Sequence, residues 1–404
     1  MKIIIIAQRL PYPPNKGEKL RSYYQIEYLV NQGHSVTVVA PTESTSDLQD
    51  GQKLQQKLNV KVELVDIGNR KLKLLTGLLA NQCLSVANFY GKALQVQVDS
   101  LLATVQFDCI LCTASSVAEY VFKSPMVDKN RDKLMLLMDF MDLDSDKWRQ
   151  YAVKSKFPMS WVYQREARLL SKYENRIHEY FDQCFFVSNQ EVTLFGKQLN
   201  SQNTSIAIGN GIDFSEFKPV LLADKPQGCN LLFTGVMDYA PNVDAVVWFV
   251  EQVWPKIIAE CSNAKFIIAG MRPTAKVKEL TKFQGIEVTG FVDDIMPYYN
   301  QAHVFVAPFR IARGVQNKVL QAFACGLPTV ATSMGAEGIN CQDGQHLLVA
   351  DEADDFANAV LRLINEGTLA QGLGTNAVDL MQAEYAWESK LSALNIVLSK
   401  ESIA

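Results

Sequence analysis

From Val304 to Ile339 the chain reads VFVAPFRIARGVQNKVLQAFACGLPTVATSMGAEGI, and this stretch leaves few folds open. Val304–Ala307 is a short apolar run of the kind a parallel sheet buries on both faces. Pro308 and a polar turn through Gly314 interrupt it. From Asn317 to Cys325 the spacing becomes helical, with Val319, Leu320, Phe323 and Ala324 sharing an apolar face. Gly326 and Pro328 end the helix, and Thr329–Ala331 resumes as a strand. Such a unit aims the positive end of a helix, with its unpaired backbone N–H groups, at the carboxyl edge of a parallel sheet. Arg313 and Lys318 bracket that helix start. The arrangement predicts an anion site, most simply for a diphosphate. An ordinary βαβ turn carrying two solvated cations has the same signature.

The rest of the chain repeats the alternation twice. In the first half, apolar runs at Ile3–Ala7, Ser35–Ala40, Val60–Val65, Phe107–Thr113, Leu134–Met138 and Cys184–Val187 predict strands, with Ile206–Ile208 a short last one. Gly17 to about Gln32 and Met159–Phe181 have helical spacing. Gly209-Asn-Gly-Ile-Asp213 is turn chemistry, and Pro219 to Gly228 is polar and loose, so a domain boundary belongs here. The pattern restarts at Asn230–Thr234, Lys265–Ala269 and Ile286–Thr289 and runs through the opening stretch to Leu347–Val349. Helices over 354–366, 368–384 and 388–399 follow. At 404 residues the chain is too long for one core and fits two α/β domains.

Composition narrows the class. Hydrophobic residues make up 48% of the chain, enough for two cores, and no run reaches the length of a membrane span. The apolar run after Lys2 ends at Ala7 and does not read as a signal peptide. Eight Cys sit mostly singly, which fits reduced thiols in the cytoplasm. Cys109-x-x-Cys112 is the nearest approach to a redox or zinc pair, but it lies inside a strand pattern with no second pair. Residues 1–204 carry 25 Lys/Arg against 21 Asp/Glu, while the remainder carries 14 against 22, so the halves are net +4 and −8. The first half can therefore face an anionic surface. No dense basic stripe with interleaved aromatics points to nucleic acid.

Three stretches in the first half carry candidate chemistry. The loop Arg9-Leu-Pro-Tyr-Pro-Pro-Asn-Lys-Gly17 lacks the G-x-G-x-x-G of a dinucleotide site. It is a stiff cleft wall in which Gly17 admits a ligand to backbone N–H groups, with Lys16, Lys19 and Arg21 nearby. Lys71–Tyr90 is apolar with basic residues at its start, the pattern of an interfacial helix or of a core helix with a solvated first turn. Asp139-Phe-Met-Asp142-Leu-Asp144-Ser-Asp146-Lys147-Trp148 puts four carboxylates at the carboxyl end of a strand. Asp142-x-Asp144 has the spacing of a D-x-D cation pair; capping by Asp144 or Ser145 and contact with sugar hydroxyls are the other readings.

The sequence resembles the retaining glycosyltransferases of family 4. The residues carrying this are the proline–glycine loop closing on Gly17, Gly33-His-Ser-Val36, Asn210-Gly-Ile-Asp213, Gly290-Phe-Val with Asp293-Asp294, and Arg313–Gly326 with Pro328. Pro11–Arg21, Asp142–Trp148 and Ala312–Lys318 are similar to the sugar transferases of exosortase (PEP-CTERM) systems. The resemblance implies a GT-B fold, with two Rossmann-like parallel-sheet domains. The first, 1–208, binds the acceptor; the second, 209–384, binds the donor; the final helix, 385–404, crosses back at Tyr385 and Trp387. It implies transfer of a sugar, with retention, from a nucleoside-diphosphate sugar to a glycan or polyprenyl-linked acceptor, without metal or cofactor, at the cytoplasmic membrane face. Beside that resemblance, Lys318 and Arg313, expected to stabilise the departing diphosphate, and Asp142, expected to bind the sugar or guide the acceptor hydroxyl, are the candidate catalytic residues. Gly235, Arg272, Phe291, Gly314, Val315, Gln316, Asn317, Gln321 and Glu337 hold the donor. Lys16, Gly17, Arg21, Asp144 and Trp148 hold the acceptor. Two departures stand out. The family's two Glu, eight positions apart, are here Arg313 and Gln321. The cations that usually follow the second domain's first glycine are absent after Gly235, where Val236, Met237 and Asp238 stand. A catalytically weak nucleotide-sugar-binding partner and a nucleotide-sugar epimerase share this architecture.

Overall fold

The computed structural model describes residues 1–14, 17–199, 204–220, 225, 228–311 and 315–400. The chain forms two compact units, Met1–Asn210 with Lys390–Ala404, and Gly211–Ser389.

The described strands of the first unit are β1 (Lys2–Ala7), β2 (Ser35–Thr42), β3 (Lys61–Asp66), β4 (Cys109–Thr113), β5 (Met135–Met141), β6 (Gln183–Phe186) and β7 (Ile206–Ala207). All pair in parallel, in the order β3-β2-β1-β4-β5-β6-β7. Four consecutive Ile and Ala7 make β1 suitable for the centre, because a strand with helices over both faces has no polar side. Ile3 pairs with Val36 on one side and Cys109 on the other, and Ile3–Ala7 are buried throughout. Cys109 and Cys112 are both buried in β4. Three residues apart on a strand, they point to opposite faces, so they cannot chelate one ion.

The second unit repeats the plan with β8 (Cys229–Thr234), β9 (Ala264–Ala269), β10 (Ile286–Gly290), β11 (Val304–Ala307), β12 (Thr329–Ala331) and β13 (Leu348–Val349). Their order is β10-β9-β8-β11-β12-β13, again parallel. In both sheets the winding reverses beside the first strand, between β1 and β4 and between β8 and β11. An open α/β sheet leaves a crevice at such a point, beyond the carboxyl ends of the strands.

The Lys71–Tyr90 stretch is not one helix. It forms two, Arg70–Leu79 and Leu84–Phe89, broken at Asn81, whose φ is +53°. The solvated-first-turn reading also fails, because leucines along the first helix face outward: Leu72, Leu75 and Leu79 are exposed. Helices over Asp47–Leu58 and Lys92–Thr104 were not read from the sequence. The final helix, Trp387–Lys400, starts in the second unit and ends in the first.

Candidate functional site

In the second unit the crevice beside β8 is built from glycines. Gly235 follows β8, and a Cβ added to it would lie 2.7 Å from Asn242 Nδ2 and 3.1 Å from Lys318 Nζ. A Cβ on Gly270, after β9, would run into the Gly235 carbonyl at 1.7 Å. Both positions need glycine for close approach of backbone and side chains.

Lys318 comes from the first turn of the Asn317–Ala324 helix, which buries Val319, Leu320, Ala322 and Phe323 and so fixes the lysine on the opposite edge. Its ammonium lies over the rings of Phe233 and Phe309, at 4.9 and 4.8 Å. Asn242 Oδ1 accepts a hydrogen bond from it at 2.6 Å. Asn242 is itself locked, since its Nδ2 donates to the Val236 carbonyl at 2.9 Å. Among the described residues no carboxylate pairs with Lys318, and burial pushes its pKa down to about 8. A cation held against two aromatic faces beside a neutral amide, at the amino end of a helix, is placed where an anion would be favoured.

The other expected donor residues follow β9, β10 and β12 or lie along or just before the same helix. Gln321, one turn further along the helix, accepts a hydrogen bond from Tyr299 Oη at 3.1 Å, and Tyr299 in turn meets Thr234 Oγ1 at 3.0 Å. The Gln321 carbonyl is therefore partly committed inward, leaving its NH2 donors and one lone pair. Arg272 follows β9 in the left-handed region, φ +56°, and pairs with Asp238 at 3.2 Å. Phe291, after β10, and Val315 are exposed. Gln316 is the N-cap residue of the Asn317–Ala324 helix without a side-chain cap, and Asn317 is exposed. Glu337 is exposed in the turn after β12. Arg313 and Gly314 lie outside the described residues. Asn242 is the residue that sequence reasoning missed: in Pro241-Asn242, at the start of a helix, it looks like a capping residue.

In the first unit the crevice beside β1 opens into a 740 Å³ cavity lined by Gln8 and Arg9 after β1, Ala114 after β4, Met141 at the end of β5 and Asp142 after it, and Asp144, Lys147, Trp148 and Tyr163 beyond. Ala114 and Met141 have φ of +92° and +63°, conformations that cost an alanine or methionine about 1–3 kcal/mol each. Asp142 is exposed at the rim. Asp144 is half-buried, and burial raises its pKa against the opposing pull of Lys147, 3.4 Å away. Trp148 stacks on Tyr163 with ring centroids 5.4 Å apart.

The capping reading of Asp144 and Ser145 is corrected. The helix Asp144–Lys154 has Leu143 at its N-cap, and its end is satisfied from elsewhere. Leu143 N–H donates to Glu191 at 2.8 Å and Ser145 N–H to Glu174 at 3.0 Å. Glu174 is fully buried, and desolvation lifts its pKa to about 8. Asp144 is thus released for the cavity. Among the described residues no group of three or more His, Cys, Asp or Glu is placed to hold a metal ion.

Arg21 is not a free acceptor ligand. It is 1% exposed and forms a two-pronged pair with Asp139, Nε to Oδ2 at 2.6 Å and Nη2 to Oδ1 at 3.1 Å. Its Nη1 donates to the Ile208 carbonyl at 2.6 Å and to Asn210 Oδ1 at 3.2 Å. Gly17 opens the helix Gly17–Asn31 that carries Arg21; Lys16 lies outside the described residues.

Residues 228–366 match the family model described as glycosyl transferases group 1. A protein of Klebsiella pneumoniae described as an uncharacterized 44.6 kDa protein in the cps region is 22% identical over 412 residues, covering 97% of this chain and 98% of its own. Sucrose-phosphate synthase from Thermosynechococcus elongatus superposes with a TM-score of 0.65 at 17% identity, covering 100% of this chain and 99% of that one. Anabaena Alr3699/HepE, solved in complex with UDP, gives 0.66 at 14% identity, covering 99% and 100%. These likenesses establish the fold: two Rossmann-like parallel-sheet domains with a C-terminal helical region, the GT-B architecture.

Proposed function

We propose that this chain is a glycosyltransferase that moves a sugar from a nucleoside-diphosphate sugar to a hydroxyl of a glycan or polyprenyl-linked acceptor. The observation that carries the reading is Lys318, a poorly solvated ammonium without a carboxylate partner among the described residues, at a helix start beside the β8–β11 switch point. In this reading the diphosphate of the donor pairs with that ammonium. Departure of the nucleoside diphosphate is the hard step, and Lys318, Arg313 and the helix amides stabilise its growing charge. Asp142 guides the acceptor hydroxyl, with Asp144 and Trp148 beside it. Attack on the face the diphosphate leaves gives retention without a covalent carboxylate intermediate. The group 1 match over the second unit supports a donor site there, and the HepE complexes with UDP and UDP-glucose make uridine nucleotides the first to test. The finer kinship with exosortase-associated sugar transferases, and work at the cytoplasmic membrane face, belong to the same proposal.

A thermal-shift screen of nucleoside diphosphates tests it. A selective ligand at 100 times its Kd stabilises the native state by about 2.7 kcal/mol, a shift of several degrees. A screen in which no nucleoside diphosphate raises Tm would sink the reading. Slow release of nucleoside diphosphate from the sugar donor without acceptor separates a working transferase from a binding partner.

Asn242 gives a second test. Asn242→Asp keeps an acceptor oxygen beside Lys318 but supplies a competing negative charge. The expected result is at least a tenfold loss of nucleoside-diphosphate affinity, by about 1.5–3 kcal/mol for a hydrogen bond involving a charged group. Asn242→Ala should lose less. Titration calorimetry with both variants reads the difference; equal affinity for wild type and Asn242→Asp would remove Lys318 from the anion site.

A further inference from the structure

Large apolar side chains left in water are concentrated on two elements of the first unit. On the Arg70–Leu79 helix, Leu72, Leu75 and Leu79 follow at i, i+3 and i+7, so they form one stripe, and Leu79 is 80% exposed. A helix packed on a soluble core turns that stripe inward. Here the packed position is Gly77, where an added Cβ would lie 2.6 Å from Ala87 Cβ. The second element is the turn between the Asp144–Lys154 and Met159–Tyr180 helices. Val153 and Phe157 are 84% and 82% exposed, and Trp161 follows on the next helix.

The two patches are tied together. Arg165 Nη2, from the Met159–Tyr180 helix, donates to Asn81 Oδ1 and the Gln82 carbonyl, both at 3.1 Å. The N–H groups of Leu84 and Ser85 donate to Glu166 at 2.8 Å. Both helices also wall the 740 Å³ cavity, through Arg70 on one and Met159 on the other.

The charge is one-sided. No carboxylate occurs between Asp66 and Asp99, a span holding Arg70, Lys71, Lys73 and Lys92. Between Asp146 and Glu174 there are seven Lys/Arg and one carboxylate, Glu166, which is buried. Of these seven, Lys147 and Arg149 pair with Asp144 and Asp146 and Arg165 is buried, so the excess rests on the others; apolar side chains flanked by a net positive charge match the boundary of an anionic bilayer. Like charges count against a second copy of the chain as the occupant.

We propose that these two elements form a membrane-docking face, with leucines and aromatics entering the headgroup boundary and the basic residues meeting anionic lipid. The rim of the first unit's cavity then lies at the membrane surface, and the acceptor is lipid-linked. The acceptor part rests on the transfer reading; the bilayer contact does not.

Flotation of the full chain on phosphatidylcholine–phosphatidylglycerol vesicles, against pure phosphatidylcholine, tests the proposal. Binding to the anionic vesicles, weakened by salt, is expected. Leu75→Glu with Leu79→Glu, or Phe157→Ser with Trp161→Ser, should each lower the bound fraction at least tenfold, while the thermal midpoint and any nucleotide-induced shift stay as in wild type. Failure of the wild-type chain to float, or flotation that survives both pairs, overturns the proposal. So does a loss of self-association in the same variants without lipid binding, which assigns the face to a second copy. Flotation by a chain that binds no nucleotide leaves the membrane face standing and removes the transferase instead.

Discussion

Lys318→Ala is expected to reduce turnover of the nucleotide-sugar donor by roughly 10²–10³-fold, about 2.7–4 kcal/mol, if the ammonium acts on the departing diphosphate. The fold should survive, because the residue stands on the edge of its helix while Val319, Leu320 and Phe323 make the core contacts. A pH signature accompanies the loss. Burial pushes the Lys318 pKa down to about 8, so the free protein loses this proton within a range where most lysines keep theirs. The diphosphate diester favours the protonated form and raises that pKa on binding. Donor affinity should therefore be flat near neutrality and fall as pH rises through about 8, with proton uptake on binding in that window. Calorimetry in buffers of different ionisation enthalpy measures the uptake. In Lys318→Ala both the decline and the uptake disappear; if they persist, another group holds the anion.

The strands were the most legible part of this chain because each is nearly apolar along its whole length. Ile3–Ala7, Cys109–Thr113 and Val304–Ala307 leave no polar face on which to mistake their place in a buried parallel sheet. Asp47–Leu58, with apolar residues at Leu48, Leu54 and Leu58, packs on the sheet through Gly51, and glycine gives no periodic signal. The apolar character of Lys71–Tyr90 carried no information on whether its leucines faced a core or water. The sites divide in the same way. Lys318 was readable because its charge follows a glycine turn. Its partner Asn242 was not, since the pair joins positions 76 apart through one side-chain contact. Arg21 was misread for a related reason. A basic residue beside a candidate cleft looks like a ligand group until the carboxylate 118 positions away is placed against it.

That carboxylate sets the largest stability effect expected in the first unit. Arg21 and Asp139 are both essentially without solvent, and the pair ties the Gly17–Asn31 helix to β5. Asp139 also accepts from Met141 N–H at 3.1 Å and from Gln25 Nε2, so its oxygens are oriented by several donors. Arg21→Ala leaves a buried carboxylate without its counter-charge, and breaking such a pair from one side costs about 3–5 kcal/mol. Replacing both members, Arg21→Met with Asp139→Leu, removes the uncompensated charge and should recover part of the loss, the remainder reflecting Met141 N–H, Gln25 and the Ile208 carbonyl left without these partners. Amide exchange of β1 and β5 under increasing urea reports on the first unit separately from the second. The expected order is wild type and double variant above Arg21→Ala. If Arg21 were instead an acceptor ligand with little structural role, Arg21→Ala would raise the acceptor KM while leaving exchange at β1 and β5 as in wild type.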